Sequence, residues 1–139
     1  MNPQHFLDTN VLIYAATGKV ADPRKYQIAN GLVSDGRFAI SAQVLGEFYS
    51  DVRYLQHEKL GALQAQEWIQ NLLRFCQTDV DSGIISTAAF YRERFKIQFW
   101  DAALIAASEK LGLKTLYTED LSHGQKYGSV TAINPFKAA

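Results

Sequence analysis

Short strand-like runs alternate with helical segments along this chain, and this alternation restricts its fold more than any other feature. Short apolar runs predict strands at residues 5–8, 37–40, 76–78, 114–118 and 130–133. Apolar residues spaced three and four apart predict helices at residues 10–16, 24–34, 42–55, 60–76, 82–95 and 101–111. Strands that alternate with helices pair in parallel, so we expect an α/β fold with a central, mainly parallel sheet.

The size and composition of the chain predict one domain over residues 1–139, without a linker or repeat. With 139 residues, 47% of them hydrophobic, the chain can bury one core. No apolar run approaches the roughly 20 residues that cross a bilayer, and the N-terminal residues do not resemble a signal peptide. Cys76 is the single cysteine, which excludes an internal disulfide and favours a reducing, cytoplasmic setting.

Four acidic residues stand at the ends or flanks of these predicted elements. Asp8 ends the first strand, Asp101 begins the last helix, and Asp120 follows the strand at 114–118. Glu47 lies on the flank of the apolar stripe of the helix at 42–55. Parallel sheets form their sites beyond the carboxyl ends of the strands. Acids beside apolar sequence are costly unless neutralised, and a shared divalent cation, which prefers oxygen ligands, explains all four together.

Each acid also has a structural interpretation. Asp8 has the residue type of an Asx turn or a helix N-cap, and Asp101 suits the first turn of a helix, where the macrodipole favours negative charge. Glu47 is a common helix former on any surface, and Asp51, one turn later, competes with it for a role in the site.

The ordered set of motifs resembles one family. The PIN-domain nucleases, and most closely the VapC-like ribonuclease toxins of toxin–antitoxin pairs, resemble this chain over residues 6–136. The resemblance rests on Asp8-Thr9-Asn10, the helical Glu47, Asp101-Ala102-Ala103 and Thr118-Glu119-Asp120. It implies a PIN-like three-layer α/β/α sandwich around the parallel sheet.

The same resemblance implies a site. Asp8, Asp101 and Asp120 would hold Mg²⁺ or Mn²⁺, and Glu47 would act with them in catalysis. Supporting hydrogen bonds would come from Thr9, Asn10 and Thr118. Asp120 matches the acid of a Thr-x-Asp pattern, with Glu119 as its competitor. If the strand ends at Thr118, the side chains of residues 118 and 120 share a direction and that of Glu119 points away.

The function that the resemblance implies is metal-dependent endonucleolytic cleavage of RNA by a toxin. Such toxins form homodimers and are neutralised by a small cognate antitoxin. An alternative is a non-catalytic PIN-like module for protein interaction, against which the complete set of four acids argues. A phosphatase of the haloacid dehalogenase type requires a second Asp two residues after Asp8, where Asn10 stands. The sequence leaves open which RNA is cut and whether one or two metals act.

The charge balance is compatible with a nucleic-acid substrate. The chain has 14 basic and 14 acidic residues, and setting aside four acids in one site leaves a net charge of +4 on the rest. Basic residues that could hold an RNA backbone are Arg92, Arg94 and Lys96, with Arg24-Lys25 as a second group. The alternative for the first group is an ordinary solvated helix end.

Aromatic and histidine residues give weaker indications. His123, shortly after Asp120, is retained as a possible substrate contact. Trp68 and Trp100 are predicted to be packing residues rather than platforms on which bases stack. Apolar residues of a partner could cover aromatic side chains around Tyr49, Tyr54 or Phe99.

Overall fold

The computed structural model describes residues 2–137, so Met1, Ala138 and Ala139 of the expected domain lie outside the described residues. Strands are formed by β1 (His5–Leu7), β2 (Phe38–Ser41), β3 (Cys76–Thr78), β4 (Thr115–Tyr117), β5 (Lys126–Tyr127) and β6 (Val130–Ile133). Helices are formed by α1 (Thr9–Ala21), α2 (Pro23–Asp35), α3 (Ala42–Ser50), α4 (Ala62–Leu72), α5 (Ser82–Phe95) and α6 (Phe99–Lys110). The predicted alternation of strands and helices is confirmed.

The strands of residues 2–137 form one sheet with the order β3-β2-β1-β4-β6-β5. All neighbouring pairs are parallel except β5 and β6, which form an antiparallel hairpin. The mainly parallel sheet expected from the sequence is therefore confirmed. β1 is central, and its last residue, Leu7, pairs in register with Tyr117 of β4.

The direction of the connections places helices on both faces of the sheet. From β1 the chain steps outward through α1 and α2 to β2, and through α3 and α4 to β3. It then returns across the sheet through α5 and α6 to β4. Because such crossovers are right-handed, a reversal of direction moves the helices to the opposite face. The helices pack accordingly, α1 against α2 and α3, and α5 against α6, which gives a three-layer sandwich.

The core is formed where strand residues meet the helices. Phe6, Leu7, Ile40 and Leu116 on the inner strands are fully buried. The helix α6 presents small residues to its neighbours, and its buried residues include Ala102, Ala103, Ala106 and Ala107. Small side chains let a helix pack closely, which fixes the position of its first turn at the sheet edge. Within residues 2–137, no helix combines the length and apolar character needed to cross a membrane.

Several helix bounds differ from those predicted. Helix α1 continues to Ala21, past the expected end at residue 16. A Cβ at Gly18 would lie 3.5 Å from both Tyr14 and Tyr26, which is ordinary contact, so α2 packs against α1 at this point. Asp22 then caps α2 by accepting a hydrogen bond from the Lys25 amide, with Pro23 in the first turn.

The helix predicted at 42–55 changes its hydrogen bonding at Asp51. Residues Asp51–Leu55 form a π-helical turn, which widens the helix and is frequent near functional sites. The helix predicted at 60–76 is shorter, because Gly61 precedes its first residue and a 3₁₀ turn at Leu73–Phe75 ends it. The two-residue strand β5 was not predicted.

Candidate metal centre

Three strands end at the same edge of the sheet, and polar residues follow two of them directly. Asp8 follows β1 and Thr118 follows the neighbouring β4, since Leu7 and Tyr117 are paired. The amide of Asp8 donates to the Tyr117 carbonyl at 3.0 Å and extends this pairing. Helix α3, which follows β2, carries Glu47. Helix α6 leads into β4, so its N-terminal turn, with Asp101, lies at this edge as well.

Asp8 is buried and held by neutral hydrogen-bond donors. Its Oδ1 accepts from the amide of Thr9 at 2.6 Å, so it caps α1. Its Oδ2 accepts from the hydroxyl of Thr118 at 2.7 Å. Asn10 Nδ2 contacts the same oxygen at 3.3 Å. The N-cap interpretation and the metal interpretation of Asp8 are thus compatible, because the cap uses one carboxylate oxygen and Thr118 orients the other.

Asp120 is brought to Asp8 by two hydrogen bonds. Its amide donates to the Thr118 hydroxyl at 3.1 Å, and its Oδ2 accepts from Asn10 Nδ2 at 3.2 Å. Asp8, Asp101 and Asp120 each offer one carboxylate oxygen, and these oxygens lie within 4.8 Å of one another. We call these three residues the acid cluster. Such spacing suits oxygen coordination of one divalent cation.

Burial and neighbouring charges raise the pKa of Asp8 and of Asp101. Burial raises the pKa of Asp8 to about 7, and the charges of Asp120 and Asp101 add to this against the lowering by the Thr118 and Thr9 hydrogen bonds. Burial, then the charges of Asp120 and Glu47, raise the pKa of Asp101 to about 6. Carboxylates held close together repel one another, which disfavours their ionisation. No positive side chain of residues 2–137 is among the groups that act on the pKa of Asp8 or Asp101.

Several polar atoms at the edge lack partners. Within residues 2–137, Thr9 Oγ1, Asn10 Oδ1 and Ser41 Oγ are buried and have no hydrogen-bond partner. Buried polar groups are nearly always paired, by protein or by ordered water. A hydrated cation carries water molecules that can donate hydrogen bonds. Such a cation at the carboxylates would therefore supply partners for these oxygen atoms.

Glu47 lies beside the acid cluster but outside the group whose oxygens converge. Its Oε1 accepts from Gln43 Nε2 at 2.8 Å. Burial raises the pKa of Glu47, and the charges of Asp51 and Asp120 contribute. The competitor Asp51 begins the π-helical turn, and its charge is not among those that act on Asp8 or Asp101. Gln43 also donates to the carbonyl of Trp100 at 3.0 Å, so Glu47 is linked to the start of α6, which carries Asp101.

Glu119 points away from the cluster, as its sequence position beside Asp120 indicated. Its carboxylate accepts from the Tyr14 hydroxyl at 2.8 Å and from Lys25 Nζ at 3.0 Å. Lys25 also lies over the rings of Tyr14 and Phe136. The strand ends at Tyr117, one residue before the predicted end, yet the side chains of Thr118 and Asp120 both serve the cluster. Lys25 is consequently engaged by Glu119 and is not a free phosphate-binding group.

Other candidate residues have structural partners. His123 Nδ1 accepts from the Asn134 amide at 3.0 Å, which ties its loop to the end of β6. Arg92 and Arg94 lie in the last turn of α5, where positive charge suits the macrodipole, and Lys96 ends the helix at φ 56°. Tyr54 is 61% exposed, whereas Tyr49 and Phe99 are partly buried against the core.

The two tryptophans differ. Trp68 packs against Phe48 with ring centroids 5.6 Å apart, so its predicted packing role is confirmed. The same prediction is wrong for Trp100, which is 52% exposed next to Asp101. The start of α6 two residues before the predicted one places Trp100 within the helix, on its open side. Adjacency to a candidate acid was the sequence signal that could have indicated this.

Comparison with known proteins gives a family and a fold. A family model described as PIN domain matches residues 5–127. No curated protein sequence matches the chain at a significant level.

Solved structures share the fold at low identity. A toxin–antitoxin complex from Klebsiella pneumoniae has a TM-score of 0.67 at 18% identity, over 96% of this chain and 99% of that chain. VapC20 of Mycobacterium tuberculosis, a toxin that cleaves the sarcin–ricin loop, has a TM-score of 0.65 at 18% identity, over 84% and 89%. FitAcB from Neisseria gonorrhoeae has a TM-score of 0.65 at 19% identity, over 96% and 99%.

Proposed function

The chain belongs to the PIN domain family, and from this premise we propose that it is a metal-dependent endoribonuclease. The observation that carries the proposal is the convergence of Asp8, Asp101 and Asp120, whose oxygens lie within 4.8 Å of one another. We propose further that the protein acts in the cytoplasm as the toxin of a toxin–antitoxin pair and as a homodimer. The toxin–antitoxin proteins among the solved structures of this fold support the toxin assignment.

The donor set of the acid cluster fits Mg²⁺ or Mn²⁺. The set consists of carboxylate oxygens, which these hard cations prefer, without the nitrogen or sulfur ligands that favour zinc. Asp8, Asp101 and Asp120 would hold the ion, and Asn10 and Thr118 would orient the first and last of these acids. The raised pKa values of Asp8 and Asp101 are consistent with a site that a cation completes.

Different residues of the chain would have different roles in phosphodiester hydrolysis. A bound divalent cation supplies Lewis acidity, which activates water and stabilises charge on the phosphate. Glu47, beside the cluster and with a raised pKa, is placed to accept a proton from a water molecule. Asp8 is fixed by Thr9 and Thr118 and therefore does not need to reorganise during the reaction.

Incubation of the purified protein with total RNA tests the function. We expect endonucleolytic fragments with Mg²⁺ or Mn²⁺, none with a chelator, and none from the Asp8→Asn protein in either buffer. A non-catalytic interaction module, the alternative function, would leave the RNA intact in all conditions. Cleavage that persists in the chelator, or in the Asp8→Asn protein, would contradict the metal-dependent mechanism.

Metal affinity should depend on pH through the two raised pKa values. Asp8 and Asp101, with pKa values of about 7 and 6, must release their protons before they coordinate a cation. A rise in pH removes these competing protons, so the Kd for Mn²⁺ should fall about tenfold from pH 6 to pH 7 and level off above pH 7.5. Calorimetric titration measures it. A Kd that does not change between pH 6 and pH 7 would contradict these pKa values.

The choice between Asp120 and Glu119 can be decided by a matched pair of variants. Asp120→Asn should lower the rate of RNA cleavage by at least about tenfold, since its carboxylate belongs to the cluster. Glu119→Gln should change the rate less than about threefold, because its carboxylate is engaged by Tyr14 and Lys25 and such a partly exposed ion pair contributes at most about 1 kcal/mol. A larger loss of activity in Glu119→Gln reverses the assignment.

A small antitoxin should block both toxicity and cleavage. The acid cluster attracts cations, and an Arg of a partner can pair with carboxylates in a bidentate manner. Apolar partner residues could cover Tyr54 and Leu55, which are 61% and 71% exposed beside α4.

Expression of the chain alone should arrest growth, and co-expression of a neighbouring reading frame for a partner with an apolar, Arg-bearing tail should restore it. Asp101→Asn is the control that should be harmless without a partner. If the parent chain is harmless alone and retains no small partner on purification, the toxin assignment fails while the nuclease assignment stands.

A further inference from the structure

A cavity opens beside the acid cluster, between the starts of α3 and α6. Its volume is about 430 Å³, and it is lined by Ala42, Gln43, Glu47, Val80 and Trp100. Small-molecule sites typically have volumes of roughly 300–1,000 Å³ and combine apolar walls with a few placed polar groups. This cavity has both, since Ala42, Val80 and the indole are apolar and the other two residues are polar.

Trp100 gives the cavity an exposed aromatic wall. Large aromatic side chains bury much apolar area when they can, yet Trp100 is 52% exposed. Its neighbour Phe99 meets the indole edge-on, with ring centroids 5.0 Å apart and planes at 89°. Phe99 in turn packs against the core. The indole is therefore supported from the protein side and open on the side of the cavity.

Gln43 joins the two helices that form the cavity. Its Nε2 donates to Glu47 Oε1 at 2.8 Å and to the carbonyl of Trp100 at 3.0 Å. The two bonds use both amide hydrogens, which leaves the amide oxygen of Gln43 and the carboxylate of Glu47 as acceptors in the wall. Since Trp100 lines the cavity and directly precedes Asp101, the cavity adjoins the acid cluster.

We propose that this cavity is a nucleobase subsite, in which Trp100 stacks on the base of a nucleotide next to the scissile phosphate. The proposal rests on the proposed ribonuclease function, because a phosphate at Asp101 places the adjoining base beside residue 100. Single-stranded RNA is recognised through splayed bases that stack on aromatic side chains and bond through their polar edges. The amide oxygen of Gln43 provides an acceptor for an amino or imino hydrogen of that base, and Glu47 keeps its proposed role toward water.

Substrates that lack one base test the contact. An RNA oligonucleotide cut by the parent is compared with versions that are abasic at each position flanking the cut. Stacking on one aromatic residue contributes enough for about a tenfold change in KM. We expect Trp100→Ala to raise KM about tenfold with kcat within about twofold, and Trp100→Phe to keep most of the affinity. For the parent protein, one abasic substrate should raise KM by a similar factor. For Trp100→Ala, the same abasic substrate should raise KM no further.

Phe90→Ala is the matched control, because Phe90 is an aromatic residue on α5 that is 61% exposed and does not line the cavity. Its KM should equal that of the parent. If Trp100→Ala cleaves intact RNA with the parental KM, or if the losses from the variant and the abasic site multiply, the subsite proposal is wrong while the nuclease function stands.

Tryptophan fluorescence gives a readout that does not require cleavage. In the Asp8→Asn protein with Mg²⁺, an RNA oligonucleotide should quench the emission, and the oligonucleotide abasic at the sensitive position should quench it less. The same titration in Trp100→Phe, where Trp68 alone remains, should show no quenching. If the parent cleaves no RNA and no oligonucleotide quenches Trp100, both proposals fail. Protection of Trp100 from acrylamide by a protein partner but not by RNA assigns the cavity to a protein contact and overturns the subsite.

Discussion

Asp8→Asn should abolish RNA cleavage and at the same time raise the thermal stability of the metal-free protein. Substitution of a residue that only supports the ligands of a metal site typically lowers activity roughly 10- to 100-fold. Asp8 is a proposed direct ligand, so we expect its substitution to lower the cleavage rate by more than about 100-fold. The stability effect has the opposite sign because burial and neighbouring acids make the Asp8 carboxylate unfavourable in the folded state. A residue with a purely structural role would lose stability on substitution.

The sign of the pH dependence follows from the pKa of about 7 in the folded protein against an ordinary value of 3.8. Below pH 4 the carboxyl is protonated in both states and contributes nothing. Between pH 4 and pH 7 the folded state retains a proton that the unfolded chain has lost, so stability falls as the pH rises. A shift of this size corresponds to about 4 kcal/mol at most, and the altered hydrogen bond with Thr118 offsets about 1 kcal/mol.

We therefore expect Asp8→Asn to stabilise the chelated protein by about 1–3 kcal/mol at pH 7.5, an increase of roughly 3–10 °C in Tm, and by little at pH 4.5. Scanning calorimetry at the two pH values measures this difference. Asp81→Asn is the matched control at the N-cap of α5, where Lys110 lowers the pKa of the acid, so that variant should be destabilised at pH 7.5. A loss of stability in Asp8→Asn at pH 7.5 would contradict the account.

Gly128→Ala should destabilise the protein by at least about 3 kcal/mol. Gly128 has φ 60°, a conformation that costs an L-residue roughly 1–2 kcal/mol. An added Cβ would lie 2.3 Å from Tyr91 Oη and 2.7 Å from Glu109 Oε2. These two atoms belong to a hydrogen-bond network in which Glu109 accepts from Tyr91 at 2.6 Å and from the Ser129 amide at 2.9 Å. The substitution must push this network apart, and each bond to a charged group contributes roughly 1.5–3 kcal/mol.

Gly112→Ala separates the two contributions. Gly112 has φ 72°, but its added Cβ would meet no atom within 4 Å. It should therefore show only the backbone cost, a decrease in Tm of a few degrees, while Gly128→Ala should lower Tm by about 10 °C or more. Equal decreases in the two variants would show that the contact with Tyr91 and Glu109 yields without cost.

Local signals in the sequence sufficed to predict much of the fold. The bounds of α5 agree with the prediction because Asp81 caps its first turn and the chain leaves the helix at Lys96. Gly36, with φ 69°, ends α2 at the predicted turn. The differences arise where tertiary packing decides. Helix α1 runs on to Ala21, and Tyr26 of α2 packs against it at Gly18. The short β5 exists because β6 pairs with it, which no local pattern encodes.

In the acid cluster, too, local sequence signals predicted some features and tertiary packing decided others. The positions of Asp8 and Asp120 after strands predicted that they would lie at one edge, and the structure brings both together with Asp101. Helical periodicity placed Glu47 at the flank of α3 but could not give its distance from the other acids, which depends on how α3 packs. The exposure of Trp100 and its cavity depend likewise on where α6 begins.

The central place of β1 in the sheet also fixes when the cluster can form during synthesis. Asp8 is made before its hydrogen-bond partner Thr118, which follows 110 residues later. At roughly 5–20 residues per second, a ribosome takes on the order of 10 s to cover that interval. Until β4 has emerged and paired with β1, the three carboxylates have no common edge to occupy. A nascent chain therefore carries all of α1 to α6 before it can assemble the acid cluster, and this delay would give the proposed partner time to be present first.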